Sequence, residues 1–286
     1  MKIKLLLALL LFSVCVYAQE RVSIRGRIVD EKGEAVEYVQ VGIPRRGIGT
    51  VSSLDGHFGI EVPADDTLEF HHVSYQTGFF PVTGAGEDAV VILKEAELPP
   101  AVFIGGDTKE KYLLRPGTRV PGASGAFHYP GGVVKGAELG SVAKARKPFL
   151  IQDIRFAIEA NYIPGCVAAI HIYRIEGEPE TFVDILHRPI YVDIPVSDTR
   201  RDFDIRPEES ILLEPGRYFI SFDLIDCDMD AVRQLLETPE SERSPQAMHI
   251  YFPMYFKGSY QRFSALGELR HFPVNIGVSV KGLEYQ

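Results

Sequence analysis

Apolar side chains recur at every second position through the first third of the chain. Val22, Ile24, Gly26 and Ile28 alternate with Ser23, Arg25, Arg27 and Val29, and Asp30-Glu31-Lys32-Gly33 then supplies turn chemistry. Val36 to Ile43 is a second β-rich run and Leu54-Asp55-Gly56 a second turn. His57 to Val62 places Phe58, Ile60 and Val62 on one face, Pro63-Ala64-Asp65-Asp66 breaks the chain, and Thr67 to Val73 and Ala89 to Leu93 come next. Period-two runs bounded by turns, with no helical period between them, predict roughly seven short strands closing as a small antiparallel sandwich.

Glu95-Ala96-Glu97-Leu98-Pro99-Pro100-Ala101 reads as a boundary, because a proline pair is stiff and cannot sit inside a ladder. Residues 96–147 then read as a linker and a basic, Gly-rich, irregular segment. Lys109 to Lys147 carries eight Lys or Arg against two Glu, with seven Gly, and little alternation beyond a short strand near Ala126 to Tyr129. A segment of that kind is either a basic strap on an acidic body or a binding loop. From Pro148 the strand pattern resumes: Ile151 to Ile158, Cys166 to Ile175, Ile190 to Val196, Phe203 to Ile205, Arg217 to Ile225, Met248 to Phe256 and Val274 to Val280. A helix is predicted only over Met229 to Glu237, where Val232, Leu235 and Leu236 share a face. The expected organisation is a signal peptide over 1–18, a first sandwich over 20–95 and a second, jelly-roll-like sandwich over 148–286, an all-β protein throughout.

The amino terminus changes the picture from fold to compartment. Lys2 and Lys4 precede an apolar run from Leu5 to Val16, and Val16-Tyr17-Ala18 offers a cleavage site before Gln19. The run is short for a bilayer span, so a secretory signal is expected; the competing readings are a membrane anchor and a lipoprotein signal through Cys15. No later stretch has the length and apolarity of a transmembrane helix. Loss of Lys2 and Lys4 takes the formal charge from −9 to −11, which disfavours nucleic acid and anionic lipid as partners. Cys166 and Cys227 remain after processing and either pair or stay as buried thiols. No Cys-x-x-Cys is present.

Several residues of the first run fall at family-specific offsets. They are Gly26-Arg27-Ile28-Val29-Asp30, Gly33, Val36-Glu37-Tyr38-Val39-Gln40-Val41, Gly47-Ile48-Gly49-Thr50-Val51, Asp55-Gly56-His57-Phe58, Leu68-Glu69-Phe70 and Val73-Ser74-Tyr75. On them, the stretch from Ile24 to Tyr75 resembles the carboxypeptidase-regulatory-like domain, a transthyretin-like sandwich of seven strands. Ser74 stands where that family usually shows Gly, and His71 where it shows a small residue. The resemblance implies a folding or interaction module without an active site, of the kind found beside peptidase domains and at the front of TonB-dependent outer-membrane transporters. The second half, through Pro148-Phe149-Leu150-Ile151 and Ile170-His171-Ile172-Tyr173, looks like the sandwich that accompanies this domain in exported proteins of Gram-negative bacteria. Phe58 and Tyr75 are the expected core residues between the sheets, and Gly33 and Gly56 the expected positive-φ turns.

Candidate chemistry is sparse. Zinc-hydrolase, nucleophile-elbow and phosphate-loop motifs are absent from the sequence. Asp226, Asp228, Asp230 and Glu237 copy positions one, three, five and twelve of a calcium loop, but Ala231 occupies the glycine position and the run reads as helix. The alternative is that these aspartates cap the helix start. His71-His72 are adjacent on a strand and so face opposite ways, one inward and one outward. Asp65-Asp66 and Asp202 with Asp204 are candidate carboxylate pairs; the first lies in a turn and the second on one solvated strand face. Tyr251, Tyr255 and Tyr260, in a run rich in Phe and Tyr, are candidate carbohydrate contacts or else members of a core strand. No cofactor is implied. The expectation is an exported cell-envelope binding or scaffold module without catalysis, in the periplasm, at the outer membrane or secreted, with an envelope protein or a glycan as partner. The competing readings are a carbohydrate-binding accessory protein and a hydrolase sited in the second domain.

Overall fold

The computed structural model describes residues 21–83, 88–97, 105–128, 135–239 and 241–286. The expected signal peptide, with Cys15, lies outside them, as do Pro99, Pro100 and Tyr129.

The first seven strands are β1 Arg21–Asp30, β2 Gln40–Ile43, β3 Ile48–Val51, β4 His57–Pro63, β5 Thr67–His71, β6 Gly78–Pro81 and β7 Ala89–Leu93. They form a three-stranded sheet, β4-β1-β7, and a four-stranded sheet, β3-β2-β5-β6. Pairing is antiparallel except between β1 and β7, which run parallel from Gly26 opposite Ala89 to Asp30 opposite Leu93. Ile24, Ile28, Phe58, Ile60, Val62, Leu68, Phe70 and Leu93 fill the space between the sheets, with Phe58 meeting Phe70 edge-on at 5.5 Å. The predicted run Val36 to Ile43 contributes a strand only from Gln40, because Tyr38 adopts φ 50° and turns the chain. Gly33 and Gly56 take the positive φ expected of them, 85° and 80°. Tyr75 is half-buried at the margin of the core rather than within it.

The remaining strands are β8 Thr108–Leu114, β9 Arg119–His128, β10 Ala137–Ala145, β11 Phe149–Ile158, β12 Ala160–Asn161, β13 Cys166–Glu176, β14 Thr181–Asp184, β15 Ile190–Ile194, β16 Arg201–Ile205, β17 Ile211–Leu213, β18 Gly216–Asp226, β19 His249–Arg262, β20 Arg270–Asn275 and β21 Ser279–Tyr285. Among the described residues, the α-helix α1 Met229–Glu237 follows β18 over the residues predicted for it. A nine-stranded sheet runs β12-β19-β10-β18-β13-β14, with β9 and β20 also on β19 and β15 on β13. A five-stranded sheet, β16-β11-β21-β8 with β17 on β11, covers its inner face. Ile154, Phe156 and Val280 of the smaller sheet pack on Ile170, Ile220, Phe222 and Phe252 of the larger, and the Phe222 ring lies 5.4 Å from that of Phe156 and 5.0 Å from that of Phe252.

Among its described residues, the segment 96–147 is not irregular as expected. It supplies β8 to the smaller sheet and β9 and β10 to the larger. The signal is weak because β10 is built largely from Ala, Gly and Ser, which pack on both faces without the β-branched signature, while β8 and β9 lie at edges and stay exposed. Three of its bases pair with acids: Lys111 with Glu284 at 2.6 Å, Arg119 with Glu159, and Lys135 with Asp226 at 2.5 Å.

β18 is buried on both faces. Tyr218, Ile220, Phe222 and Leu224 point to the second core, while Phe219, Ser221, Asp223 and Ile225 point outward and are covered in turn. Part of that cover is the first sandwich. Val51 joins Ala169, Ile225 and Ala265 in a small apolar cluster at the junction, Ser264 Oγ donates to Gly47 O at 2.9 Å, and Ser74 Oγ donates to His187 O at 2.9 Å. At Gly49 a Cβ would stand 1.8 Å from the Ala265 carbonyl oxygen, so the close approach of the two sandwiches requires glycine there. Gly49→Ala is therefore expected to separate the sandwiches at a cost of about 1–3 kcal/mol. Scanning calorimetry should then resolve two transitions where the wild type shows one; an unchanged single transition would refute the docking geometry.

Candidate functional site

The junction carries a buried ionic cluster set up by strand register. Arg262 on β19 stands opposite Glu138 on β10, Glu138 opposite Asp223 on β18, and Asp223 opposite Ala169 on β13. His171 lies one outward position further along β13, opposite Ser221. Two carboxylates directly opposed across strands repel each other, and both Glu138 and Asp223 are fully buried. Cations must therefore be placed on either side.

Arg262 Nε sits 2.5 Å from Glu138 Oε2, and Ser221 Oγ donates to Glu138 Oε1. Arg262 Nη2 also donates to Tyr173 Oη at 3.0 Å and to Gln40 Oε1 at 3.4 Å. His171 is held between two acids, with Nδ1 2.6 Å from Asp184 Oδ2 and Nε2 3.5 Å from Asp223 Oδ2. Gln40, from the first sandwich, donates Nε2 to Asp223 Oδ2 at 2.9 Å. Asp223 Oδ1, His171 Nε2 and Arg262 Nε are buried without a well-aligned hydrogen bond among the described residues, so His171 Nε2 and Arg262 Nε meet their acids as ion pairs. One glutamine of β2 thus bonds both an acid and a base of the other domain.

Environment sets the charge states. Burial alone would lower the His171 pKa, but its bond to Asp184 and the close approach of Asp223, with the charges of Asp184 and Glu138, raise it to about 10. Burial raises the Glu138 carboxyl, and the adjacent Arg262 guanidinium opposes that rise. Burial works against the Arg262 charge, yet Glu138 and the other nearby acids hold it firmly protonated. His72 goes the other way: burial, aided by the His171 charge, lowers it to about 4. Its Nδ1 accepts from the Ser74 amide at 3.2 Å, so Nε2 carries the proton and donates to Tyr191 Oη at 3.3 Å.

Beside the cluster lies a cavity of about 530 Å³ between the two sandwiches. Tyr38, His72 and Tyr75 line it from the first, and His171, Asp184 and Tyr191 from the second. Tyr38 and Tyr191 meet edge-on at 5.0 Å, and His72 and Tyr75 at 5.3 Å.

The residues singled out from sequence are scattered around this centre. Asp226 pairs with Lys135 at 2.5 Å; Asp228 caps α1, accepting from the Asp230 and Ala231 amides at 3.1 and 2.9 Å; Asp230 pairs with Arg233 at 3.0 Å; and Glu237 ends the helix. Among the described residues no three His, Cys, Asp or Glu are arranged to hold a metal ion; the two acids beside His171 contact opposite ring nitrogens and do not converge. Tyr251 and Tyr255 are half-buried, Tyr251 stacked on His249 at 5.3 Å, whereas Tyr260 is buried against Phe182 and donates to Glu180 at 2.5 Å. His71 is part-exposed and bonds Glu69 at 3.0 Å. Asp66 is buried between Arg45 and Arg46, and Asp202 and Asp204 lie exposed beside Arg200 and Arg155. Cys166 and Cys227 are free and buried, and burial raises both thiols, Cys227 to about 12.

Sequence reasoning misses Glu138, Asp184, Asp223 and Arg262, since polar residues at alternate strand positions read as a solvated face. The available signal is in β18, where Phe219 and Ile225 share the outward row with Ser221 and Asp223. Large apolar neighbours on both sides of an aspartate mark a covered face.

Comparison with known proteins agrees with the first sandwich and stops there. Residues 24–99 match the family model of the CarboxypepD_reg-like domain, a regulatory or binding type of domain. No curated protein matches the chain. Among solved structures, a mutant VP2 protein of infectious bursal disease virus, in derived T=1 particles, aligns at 11% identity and a TM-score of 0.19. It covers 93% of this chain and 63% of that one, a likeness too slight to carry any argument.

His171→Gln would leave Asp184 and Asp223 without their cation, and a destabilisation of about 3–5 kcal/mol is expected. The sign comes from linkage. A group raised from about 6.5 to about 10 on folding contributes fully below pH 6.5 and loses its contribution as pH rises through 10. His72, lowered to about 4, contributes above pH 6.5 and loses that as pH falls through 4. The gap in melting temperature between wild type and His171→Gln should therefore be widest near pH 6 and close towards pH 10; a pH-independent gap would contradict the charged-histidine assignment.

Proposed function

We propose that this chain is an exported, non-catalytic binding or scaffold module of the cell envelope, in the periplasm, at the outer membrane or secreted. The observation that carries this reading is the docking of a binding-type domain onto a sheet face whose ionisable groups neutralise one another. A general base works best with a pKa near the working pH. His171 stays protonated far above neutrality, and both ring nitrogens of His72 are committed to Ser74 and Tyr191. Neither thiol is near forming a thiolate at neutral pH. The cluster therefore orients and locks, while the cavity beside it offers surface to a partner or ligand. Export rests on the lysine-flanked apolar run from Leu5 to Val16. No helix among the described residues is long and apolar enough to cross a membrane.

The test has two arms. Cross-linking of the tagged chain in its native envelope should retain a reproducible partner, and a panel of chromogenic ester, glycoside and peptide substrates should give no turnover. Saturable turnover that stays with the protein through successive purification steps would overturn the reading and favour a hydrolase. A positive glycan array with no protein partner would move it to a carbohydrate-binding accessory.

A further inference from the structure

Cys166 and Cys227 meet at the end of the ladder between β13 and β18. The last registered pair of that ladder is Val167 opposite Asp226, so one further residue on each strand sets Cys166 opposite Cys227. The two chains stay together beyond them. The Asp228 amide donates to Pro164 O at 2.9 Å, and a Cβ on Gly165 would stand 2.8 Å from the Asp228 nitrogen. The thiols thus lie between two points where the backbones are in contact.

A β-bulge turns both thiols to the same face. Ala168 opposes Leu224 and Val167 opposes Asp226, which leaves Ile225 without a partner on β13. Leu224 points into the second core and Ile225 away from it. Strict alternation would return Asp226 to the core and send Cys227 outward. The extra residue of the bulge reverses this: Asp226 pairs with Lys135, and Cys227 joins Cys166 in the core cluster. Directly opposed residues of an antiparallel pair have Cα atoms about 4.5–5.5 Å apart. That lies inside the span of roughly 4.4–6.8 Å that a disulfide bridges. Cys227 Sγ contacts Met229 Sδ at 3.6 Å, a weak interaction, and one rotamer step about χ1 turns it towards Cys166.

We propose that Cys166 and Cys227 form a cross-linking site, closed as an intramolecular disulfide while the exported chain folds. The oxidant is a disulfide of the oxidising compartment, borne by a small thiol or a protein. One cysteine thiolate attacks it, forming a mixed disulfide and releasing one oxidant thiol. The second thiolate attacks the protein sulfur of that mixed disulfide and releases the other. The cysteines lose two electrons and two protons, and the oxidant disulfide becomes two thiols. In the folded molecule the cysteines are 2% and 6% exposed, and burial raises both thiols, so an oxidant finds neither access nor a thiolate at neutral pH. The bond therefore forms before the smaller sheet, with β21 at its interior, covers the core. Once made, it is sealed from reductants by the same burial. The inference goes beyond the binding-module reading and takes from it only the exported compartment.

Refolding of the full chain carrying Cys15→Ser, which leaves this pair as its only thiols, tests the proposal in buffers of oxidised or reduced glutathione. After oxidative refolding, non-reducing peptide mapping should find Cys166 joined to Cys227. The cross-linked form should melt roughly 5–15 °C above the reduced one. Cys227→Ala in the same background should melt alike in both buffers. Oxidised glutathione added to the reduced chain after folding should cross-link it at least about tenfold more slowly than during refolding. Two alkylatable thiols after oxidative refolding to the native circular dichroism spectrum would overturn the proposal. So would glutathione adducts or links between chains in place of the internal bond, a cross-linked form that melts no higher than the reduced one, or equal rates before and after folding. The redox poise is set in the buffer, so a failure of the export reading would leave these results unchanged.

Discussion

Two carboxylates, Glu138 and Asp223, face each other across neighbouring strands, both sealed from solvent. Left alone, that pair would drive β10 from β18. The outward face of the larger sheet is arranged to prevent it: Arg262 flanks one acid, His171 the other, and Gln40 reaches in from the first sandwich to bond Asp223 and Arg262 together. Buried ion pairs rarely add net stability over apolar packing, yet breaking one is costly. The cluster is therefore better understood as a specifier of geometry. It admits only the docking that brings Gln40 to Asp223, and the apolar contacts of Val51, Ala169, Ile225 and Ala265 supply the attraction.

This division of labour also explains the chemistry. A histidine between two acids, one of them sealed off, stays protonated near neutral pH. The other histidine of the junction, His72, has lost its charge through burial and serves as a fixed hydrogen-bond bridge. The same low-polarity surroundings that disable these groups as acids and bases make the cavity walls suitable for recognition, where fixed dipoles and ring faces count for more than in water.

Much of the fold is legible in the sequence because the apolar period survives wherever one sheet face is buried and the other is wet. β1 shows this, with Ile24 and Ile28 inside and Arg25 and Arg27 outside. The helix is legible to the residue, since the Asp228 carboxylate caps the first turn of α1 and Val232, Leu235 and Leu236 share a face. Legibility fails where both faces are covered or where the strand uses small residues. β10, rich in Ala, Gly and Ser, passes for loop, and the acids of β10 and β18 pass for solvent-facing positions. The candidate site escapes for the same reason. Its residues come from β2, β10, β13, β14, β18 and β19, and nothing in their local context reports that those positions meet. Tyr38, legible only as part of the family resemblance, proves to be a positive-φ turn before β2 whose ring meets Tyr191 of the second sandwich.

The position of β21 carries a consequence for how the molecule assembles. This strand, residues 279–285, lies inside the smaller sheet, between β11 and β8, rather than at its edge. Its Glu284 pairs with Lys109, from a far earlier part of the chain. Contacts so distant along the sequence require large loops to close before they repay the lost freedom, and such topologies mature slowly. During synthesis, β8 and β11 emerge with a strand-wide gap between them, and the inner row of the larger sheet stays open to solvent until β21 arrives. The second sandwich can close only once β21 has been made, which leaves an interval in which the earlier strands are extended enough to be handled by cellular machinery.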